Sequence, residues 1–235
     1  MSSTRLPGKT LMDLGGITLI ESVYRGAMSS STLTDVVVSI PSSSTDDILF
    51  EFLESKRIPV SRGLEDNLIA RHLQVAEEMS SDVLVRIPGD NPLPHGREID
   101  RIVEFHLASN SGGFSTNLSQ ILDSGYPDGI GAEVFSVESL INAYESPHST
   151  MQEEHVHLNF FDYEAACVVA PEQFPVKTVY CPREFALPSL ILDINELEDL
   201  EYFRRMFRDL GTNQPDIEQI IPWHDRIGLG IRKRR

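Results

Sequence analysis

Three short runs of branched apolar residues, at 35–40, 58–61 and 82–87, are each followed by a stretch of helical period. This alternation constrains the chain more than any other feature. A strand that returns to a parallel neighbour needs a crossover of a dozen or more residues, and a helix is the usual crossover. The pattern therefore predicts an α/β domain with a parallel sheet. Helices are expected at 19–28, 45–55, 66–79 and 96–108, and further strands at 114–116 and 132–135. Beyond them, helices are expected at 137–144 and 152–161, and antiparallel strands at 165–170 and 178–182 on the far side of the sheet. A last inner strand at 190–194 and a charged amphipathic helix at 197–210 complete the pattern. No linker interrupts it, so 1–210 reads as one domain and 211–235 as a loose C-terminal appendage.

At 235 residues the chain can bury a sizeable core. With 36 acidic against 20 basic residues, a net charge of −16, it lacks the basic footprint of a nucleic-acid binder. No run approaches the ~20 apolar residues of a membrane span. Neither nucleic acid nor membrane is expected as a partner. Cys167 and Cys181 form no Cys-x-x-Cys motif, and no secretory leader is recognisable, which points to a reducing, cytoplasmic setting.

In so acidic a chain, an anionic ligand must meet local positive charge. The opening stretch, Met1-Ser2-Ser3-Thr4-Arg5-Leu6-Pro7-Gly8-Lys9, has the composition of a phosphate loop. Small residues let backbone N–H groups turn inward, while Arg5 and Lys9 supply charge. It does not match the Gly-x-x-x-x-Gly-Lys-Ser/Thr spacing, and on these residues alone a frayed, solvated terminus is an equal reading. A mononucleotide-binding sheet places its phosphate loop directly after a central strand. Met1 begins at the loop itself, so that first strand is expected upstream of a misassigned or truncated start.

Six motifs then occur in one order: Ser2 to Lys9, Arg62-Gly63-Leu64-Glu65-Asp66, Val85-Arg86-Ile87-Pro88-Gly89-Asp90-Asn91-Pro92-Leu93, Tyr126-Pro127-Asp128-Gly129, Glu133-Val134-Phe135-Ser136 and Glu154-His155-Val156. Together they resemble the cytidylyltransferases of spore-coat polysaccharide and acylneuraminate (sialic-acid-like) biosynthesis, relatives of the enzyme that activates ketodeoxyoctulosonate. The resemblance implies a nucleotide-diphospho-sugar transferase-like (Rossmann-like) mixed sheet flanked by helices. It implies a reaction in which a sugar-acid oxygen attacks the α-phosphate of CTP and releases pyrophosphate, for surface glycan biosynthesis. CTP, a sugar-acid acceptor and Mg²⁺ are the implied ligands, and a homodimer through the half after Gly129 is the implied assembly. Two other readings stay open: a sugar-phosphate nucleotidyltransferase and a non-catalytic nucleotide-binding paralogue.

Within the resemblance, Ser2, Ser3, Thr4, Arg5 and Lys9 fall on the triphosphate, with Arg5 and Lys9 catalytic. An Arg forks onto phosphate oxygens while a Lys acts as a mobile point charge. Asp90 follows Gly89 at the carboxyl end of the 82–87 strand, where ligand crevices of open sheets form. It is the expected third catalytic residue and Mg²⁺ ligand; on its residues alone, Gly-Asp-Asn-Pro is a turn. Arg62 and Gly89 are expected near the nucleotide; Arg62-Gly63 and Glu65-Asp66 sit as a base- or ribose-recognition loop would, with Asp66 equally a helix N-cap, and Arg71 is expected as a solvated face residue.

Asp128 and Glu133 fall on the acceptor side, with a Pro-Asp-Gly turn and a strand-edge Glu as the equal reading. Gly131 stands where the family commonly has Asp. His155 is expected to contact the acceptor or order its loop, or equally to be structural. His157, on the helix expected there, would face away from it, so zinc is not expected. The second metal-side carboxylate of the family falls on Asn195, which offers a carbonyl oxygen but no charge. Asp193, two residues earlier on the same strand face, is the expected substitute.

Overall fold

Thr18 and Glu21 cap each other's backbone N–H groups in a capping box, and helix α1 (Leu19–Met28) starts there. The computed structural model describes residues 5–109, 112–118 and 121–227. After α1 come β1 (Val38–Pro41), α2 (Asp47–Ser55), β2 (Val60–Gly63), α3 (Leu68–Met79), β3 (Val83–Arg86) and α4 (Gly96–Ala108), the expected alternation. Asn67 caps α3 in place of Asp66: its Oδ1 accepts from the Ala70 N–H at 2.8 Å. The second half holds β4 (Phe114–Thr116), β5 (Glu133–Ser136), α5 (Val137–Glu145), α6 (Thr150–Glu154), β6 (Phe161–Asp162), β7 (Cys167–Val168), β8 (Val176–Lys177), α7 (Leu197–Leu210) and α8 (Ile217–Ile227).

The sheet is mixed, not parallel throughout. One sheet has the order β3-β5-β4-β8, with β5 antiparallel to both its neighbours and β8 parallel to β4. Phe114 of β4 stacks on Phe135 of β5 at 4.6 Å between ring centroids, so the cross-strand pair also anchors the core. β1 and β2 form a separate parallel pair. The strands expected at 165–170 and 178–182 do not pair with each other. β7 joins β6 in a small antiparallel pair, and the strand beside β4 is β8, just ahead of 178. The segment 190–194 is extended but tied mainly by Asp128, whose N–H donates to Leu190 O and whose C=O accepts from Leu192 N–H, both at 2.9 Å.

Two further expectations fail for physical reasons. The helix expected over 152–161 ends at Glu154, and a 3₁₀ turn follows over Val156–Asn159. The Asn159 amide donates to Gln152 O and Val156 O, both at 3.0 Å, capturing carbonyls that a continuous helix would use. The segment read as a loose appendage carries α8, whose Ile217, Ile220 and Trp223 are each no more than 1% exposed. Trp223 packs edge-on against Tyr202 of α7 at 5.2 Å, within the largest apolar cluster. Among the described residues, no helix is long and apolar enough to cross a membrane.

β1 and β3 face each other across a cleft of about 950 Å³, walled by α1 and α3. All four residues of β3, and all but Ile40 of β1, are only half-buried, whereas β4 is fully buried.

Candidate active site

The amino-terminal loop reaches the mouth of this cleft. Gly8 takes a left-handed conformation, φ 72°, and a 3₁₀ turn over Lys9–Leu11 follows. Leu11 and Met12 pack on the core, fixing the turn. Lys9 is thereby delivered to three oxygens that come from far along the chain. Its Nζ donates to Asp90 Oδ2 at 3.1 Å, Ile194 O at 2.6 Å and Asn195 Oδ1 at 3.3 Å. Arg5 Nη2 donates to the same Asn195 Oδ1 at 2.9 Å, and Asn195 Nδ2 donates to Asp193 Oδ2 at 2.7 Å.

The structure thus brings Arg5, Lys9, Asp90, Asp193 and Asn195 into one group at the carboxyl end of β3. Secondary contacts hold it there. Ile194 N–H donates to Asp90 O at 2.8 Å, stitching the two loops together. Asp199 Oδ2 accepts from the Asn195 and Glu196 N–H groups at 2.7 and 2.8 Å, anchoring the loop to the start of α7. Asp90 is also a turn residue, since Asn91 N–H donates to Pro88 O at 3.2 Å, so the two readings of it coexist. Gly89 lines the cleft with nothing within 4 Å of where a Cβ would stand. Ser2, Ser3 and Thr4 lie outside the described residues.

Two more cations line the cleft, and the sequence reading gave neither a role. Arg71 is not a solvated face residue. It stands on the inward stripe of α3 with Leu68, Val75, Ala76 and Met79, an i, i+3, i+7, i+8, i+11 spacing that the sequence already displays. Its Nη1 donates to Leu64 O at 2.9 Å, while its enclosed Nε has no hydrogen-bond partner. Burial lowers the Arg71 pKa, Asp46 opposes the shift and Arg86 adds to it. A Cβ at Gly63 would stand 2.9 Å from Arg71 Cγ, so the glycine of the Arg62-Gly63 motif makes room for this side chain.

Arg86 donates through Nη1 to Glu133, whose other oxygen lies 3.1 Å from His157 Nδ1. Burial would raise the Glu133 pKa, but Arg86 and His157 hold it down at about 2. Glu133 is 1% exposed and stands as a strut beneath Arg86. His72, next to Arg71 on the cleft wall, is pushed down to about 4 by burial, with Arg86 adding to the shift.

Arg62 is placed elsewhere. Alternation along β2 turns it toward α2, where it pairs with Asp47 at 2.8 Å, donates to Ser43 O at 2.8 Å and lies over Phe50. Asp128 is buried and tied through its backbone to 190–192, and Tyr126 of the same motif donates from the core to Glu98. His155 ends α6, with its ring 6.0 Å from that of His157. Neither Asp128, Glu133 nor His155 lines the cleft. A Cβ at Gly131 would fall 2.3 Å from Asn117 Oδ1, which accounts for glycine at this position in this chain.

Comparison with known proteins shows the family and the fold. A profile of the cytidylyltransferase family matches residues 1–213. The spore coat polysaccharide biosynthesis protein SpsF of Bacillus subtilis is 28% identical over 222 residues, covering 92% of this chain and 86% of that protein. An uncharacterized protein of Methanocaldococcus jannaschii is 29% identical over 224 residues, covering 95% of this chain and 86% of that one. Among solved structures, a cytidylyltransferase from Leptospira borgpetersenii superposes with a TM-score of 0.85 at 24% identity, covering 100% of this chain and 94% of that one; it bears out the fold. With a family match that spans the loop, the β3 turn and the Asn195 segment alike, the chain belongs to the cytidylyltransferase family of nucleotidyltransferases.

Proposed function

We propose that this chain transfers CMP from CTP to a hydroxyl of a sugar acid, releasing pyrophosphate, in the building of a surface glycan. The observation that carries the reading is the meeting of Lys9 and Arg5 with Asp90 and Asn195 at the open end of β3. In the reaction, the acceptor oxygen forms a bond to the α-phosphorus, the bond from that phosphorus to the bridging oxygen of the β-phosphate breaks, and the hydroxyl proton is released. Such transfer at a polyanion depends on positioning and charge neutralisation. Lys9 and Arg5 are the residues for the triphosphate. Arg71 and Arg86 add positive charge along the same cleft, one with an unused Nε and the other held by Glu133.

The donor set near Lys9 is all oxygen: the Asp90 carboxylate, the Asn195 amide oxygen and the Asp193 carboxylate. That chemistry fits Mg²⁺, which takes one or two carboxylates with phosphate oxygens and retained waters. Asp90, with Asn195 and Asp193, would hold the ion, which when bound supplies charge neutralisation to the phosphates. Membership of the family and the likeness to SpsF support a polysaccharide route.

Phosphorus NMR of the chain with CTP, Mg²⁺ and a panel of 2-keto sugar acids tests the reading. A product with a single CMP phosphodiester and an equal amount of pyrophosphate is expected. A diphosphate-linked product, formed only with sugar phosphates, would assign the neighbouring reaction instead. CTP left intact with every acceptor, together with no detectable CTP binding, would contradict both.

A further inference from the structure

Lys9 has no donor to spare. An ammonium carries three N–H donors, and those of Lys9 meet three acceptors: Asp90 Oδ2 at 3.1 Å, Ile194 O at 2.6 Å and Asn195 Oδ1 at 3.3 Å. The amide oxygen of Asn195 is equally engaged. It has two lone pairs, and Arg5 Nη2 takes the second at 2.9 Å. The oxygens that suit Mg²⁺ are thus held by the chain's own cations, and Lys9 reaches a phosphate only by giving up one of them. A magnesium ion takes such oxygens at about 2 Å, which leaves no lone pair of Asn195 for either cation.

The two ligands therefore depend on each other. A divalent cation entering alone displaces Lys9, whose side chain is 14% exposed, and leaves its charge enclosed without a partner. A triphosphate that draws off Lys9 alone leaves the Asp90 carboxylate beside a polyanion, where like charges repel. When both arrive, partners are exchanged: the ammonium goes to phosphate, the carboxylate to the metal ion, and no charge is stranded. The loop is built for an exchange made by the side chain. Gly8, at φ 72°, and the 3₁₀ turn over Lys9–Leu11 hold the Lys9 backbone in place, while its four-carbon stem can swing.

We propose that Lys9 is a placeholder for the metal ion: it blocks the Asp90 and Asn195 oxygens until a triphosphate draws it off, so that the nucleotide admits the cation and the two bind cooperatively. Such coupling is reciprocal, each ligand tightening the other by the same factor. A surface ion pair would join Lys9 to one carboxylate; here the ammonium meets oxygens of two segments far apart in the chain, the turn at Asp90 and the stretch at Ile194 and Asn195. The proposal rests on the metal and triphosphate reading of these residues given above, and not on the identity of the acceptor.

The test first reads metal binding without nucleotide. Mn²⁺, which shares the oxygen preference of Mg²⁺, is titrated into the full chain and the free ion is followed by electron paramagnetic resonance. Lys9→Gln keeps a donor for Ile194 O but removes the charge, and both it and Lys9→Met are expected to bind Mn²⁺ roughly tenfold more tightly than the parent. Adding Asp90→Asn to either is expected to cancel the gain. Lys56→Gln, which removes a surface lysine paired with Glu21, is expected to leave the affinity unchanged and so controls for the net charge. No gain in either Lys9 variant, a gain matched by Lys56→Gln, or a gain that survives Asp90→Asn would overturn the placeholder. The second readout is nitrogen NMR of the lysine ammonium groups, in which CTP with Mg²⁺ is expected to shift the signal that Lys9→Gln deletes. A Lys9 signal unmoved by saturating CTP, or no CTP binding by the parent, would overturn the exchange of partners. A shifted Lys9 signal with CTP left intact by every acceptor would instead contradict only the transfer reaction proposed above.

Discussion

Lys9 Nζ lies 3.1 Å from Asp90 Oδ2, joining the cation of the amino-terminal loop to the carboxylate that ends the β3 turn. The ion pair fixes the loop before any ligand arrives, and Lys9 and Asp90 stand only 14% and 33% exposed. An incoming triphosphate offers Lys9 a new partner and leaves Asp90 free for a cation. Asp90→Asn is therefore expected to keep the fold but lose the Mg²⁺-dependent part of CTP affinity, by roughly tenfold or more. CTP titrations with and without Mg²⁺ check this. An unchanged Mg²⁺ dependence would remove Asp90 from the metal site.

Asn195→Asp tests the adjacent position. Asn195 Nδ2 donates to Asp193 Oδ2 at 2.7 Å, and a carboxylate there would set two anions face to face. Without Mg²⁺ the variant is expected to melt below the parent. With Mg²⁺ the repulsion becomes a second anionic ligand, and Mg²⁺ binding is expected to tighten roughly tenfold. Calorimetry of both proteins decides; equal Mg²⁺ affinities would contradict a site weakened by the amide.

Arg86→Met removes the main partner of a carboxylate that is 1% exposed. Breaking a buried pair costs roughly 3–5 kcal/mol because the remaining charge is uncompensated. Arg86→Met with Glu133→Gln is expected to recover much of that loss. The Glu133 pKa, about 2 in the folded chain, lies below its ordinary value of 4.5, so its pairing stabilises fully above pH 4.5 and is lost as pH falls toward 2. In Arg86→Met burial is no longer opposed by Arg86, and the destabilisation should shrink as pH drops through the carboxylate range. Urea melts at pH 7 and pH 4 measure it.

His72 gives a separate pH signature. Burial, with Arg86 next, lowers its pKa from 6.5 to about 4, so between these values the unfolded chain takes up a proton that the folded chain refuses. Stability should fall as pH drops from 6.5, by roughly 2 kcal/mol at pH 5. In His72→Gln that share of the loss should vanish. Equal losses between pH 7 and pH 5 in parent and variant would show that His72 is not the group responsible.

Much of the frame was legible because it is local. α1, α4 and α7 run over the expected residues, since the apolar stripe of each, and for α1 and α7 the capping box as well, lies within the same short stretch. The convergence of Lys9, Asp90 and Asn195 was expected from the motif resemblance, not from spacing. The failures are non-local. Glu133 could not be recognised as a strut until β3 and β5 were known to pair Arg86 with it. The 152–161 helix is broken by the Asn159 amide, and His157 beyond the break meets Glu133. That Arg62 turns from the cleft toward α2 was not legible, because its motif says that it adjoins a strand end but not which face it takes. Arg71 was legible and overlooked: an arginine on an apolar stripe is enclosed by whatever that stripe faces.

The most direct measurement is the melting temperature with CTP, UTP, GTP and ATP, each with and without Mg²⁺, for the parent chain and for Lys9→Met. A ligand at about a hundred times its dissociation constant stabilises by roughly 2.7 kcal/mol, which in a chain of this size is roughly 5 °C or more. CTP with Mg²⁺ is expected to give that rise selectively in the parent, and Lys9→Met to abolish it. Equal shifts with all four triphosphates, no shift with any, or an undiminished CTP shift in Lys9→Met would contradict a CTP site built on Lys9.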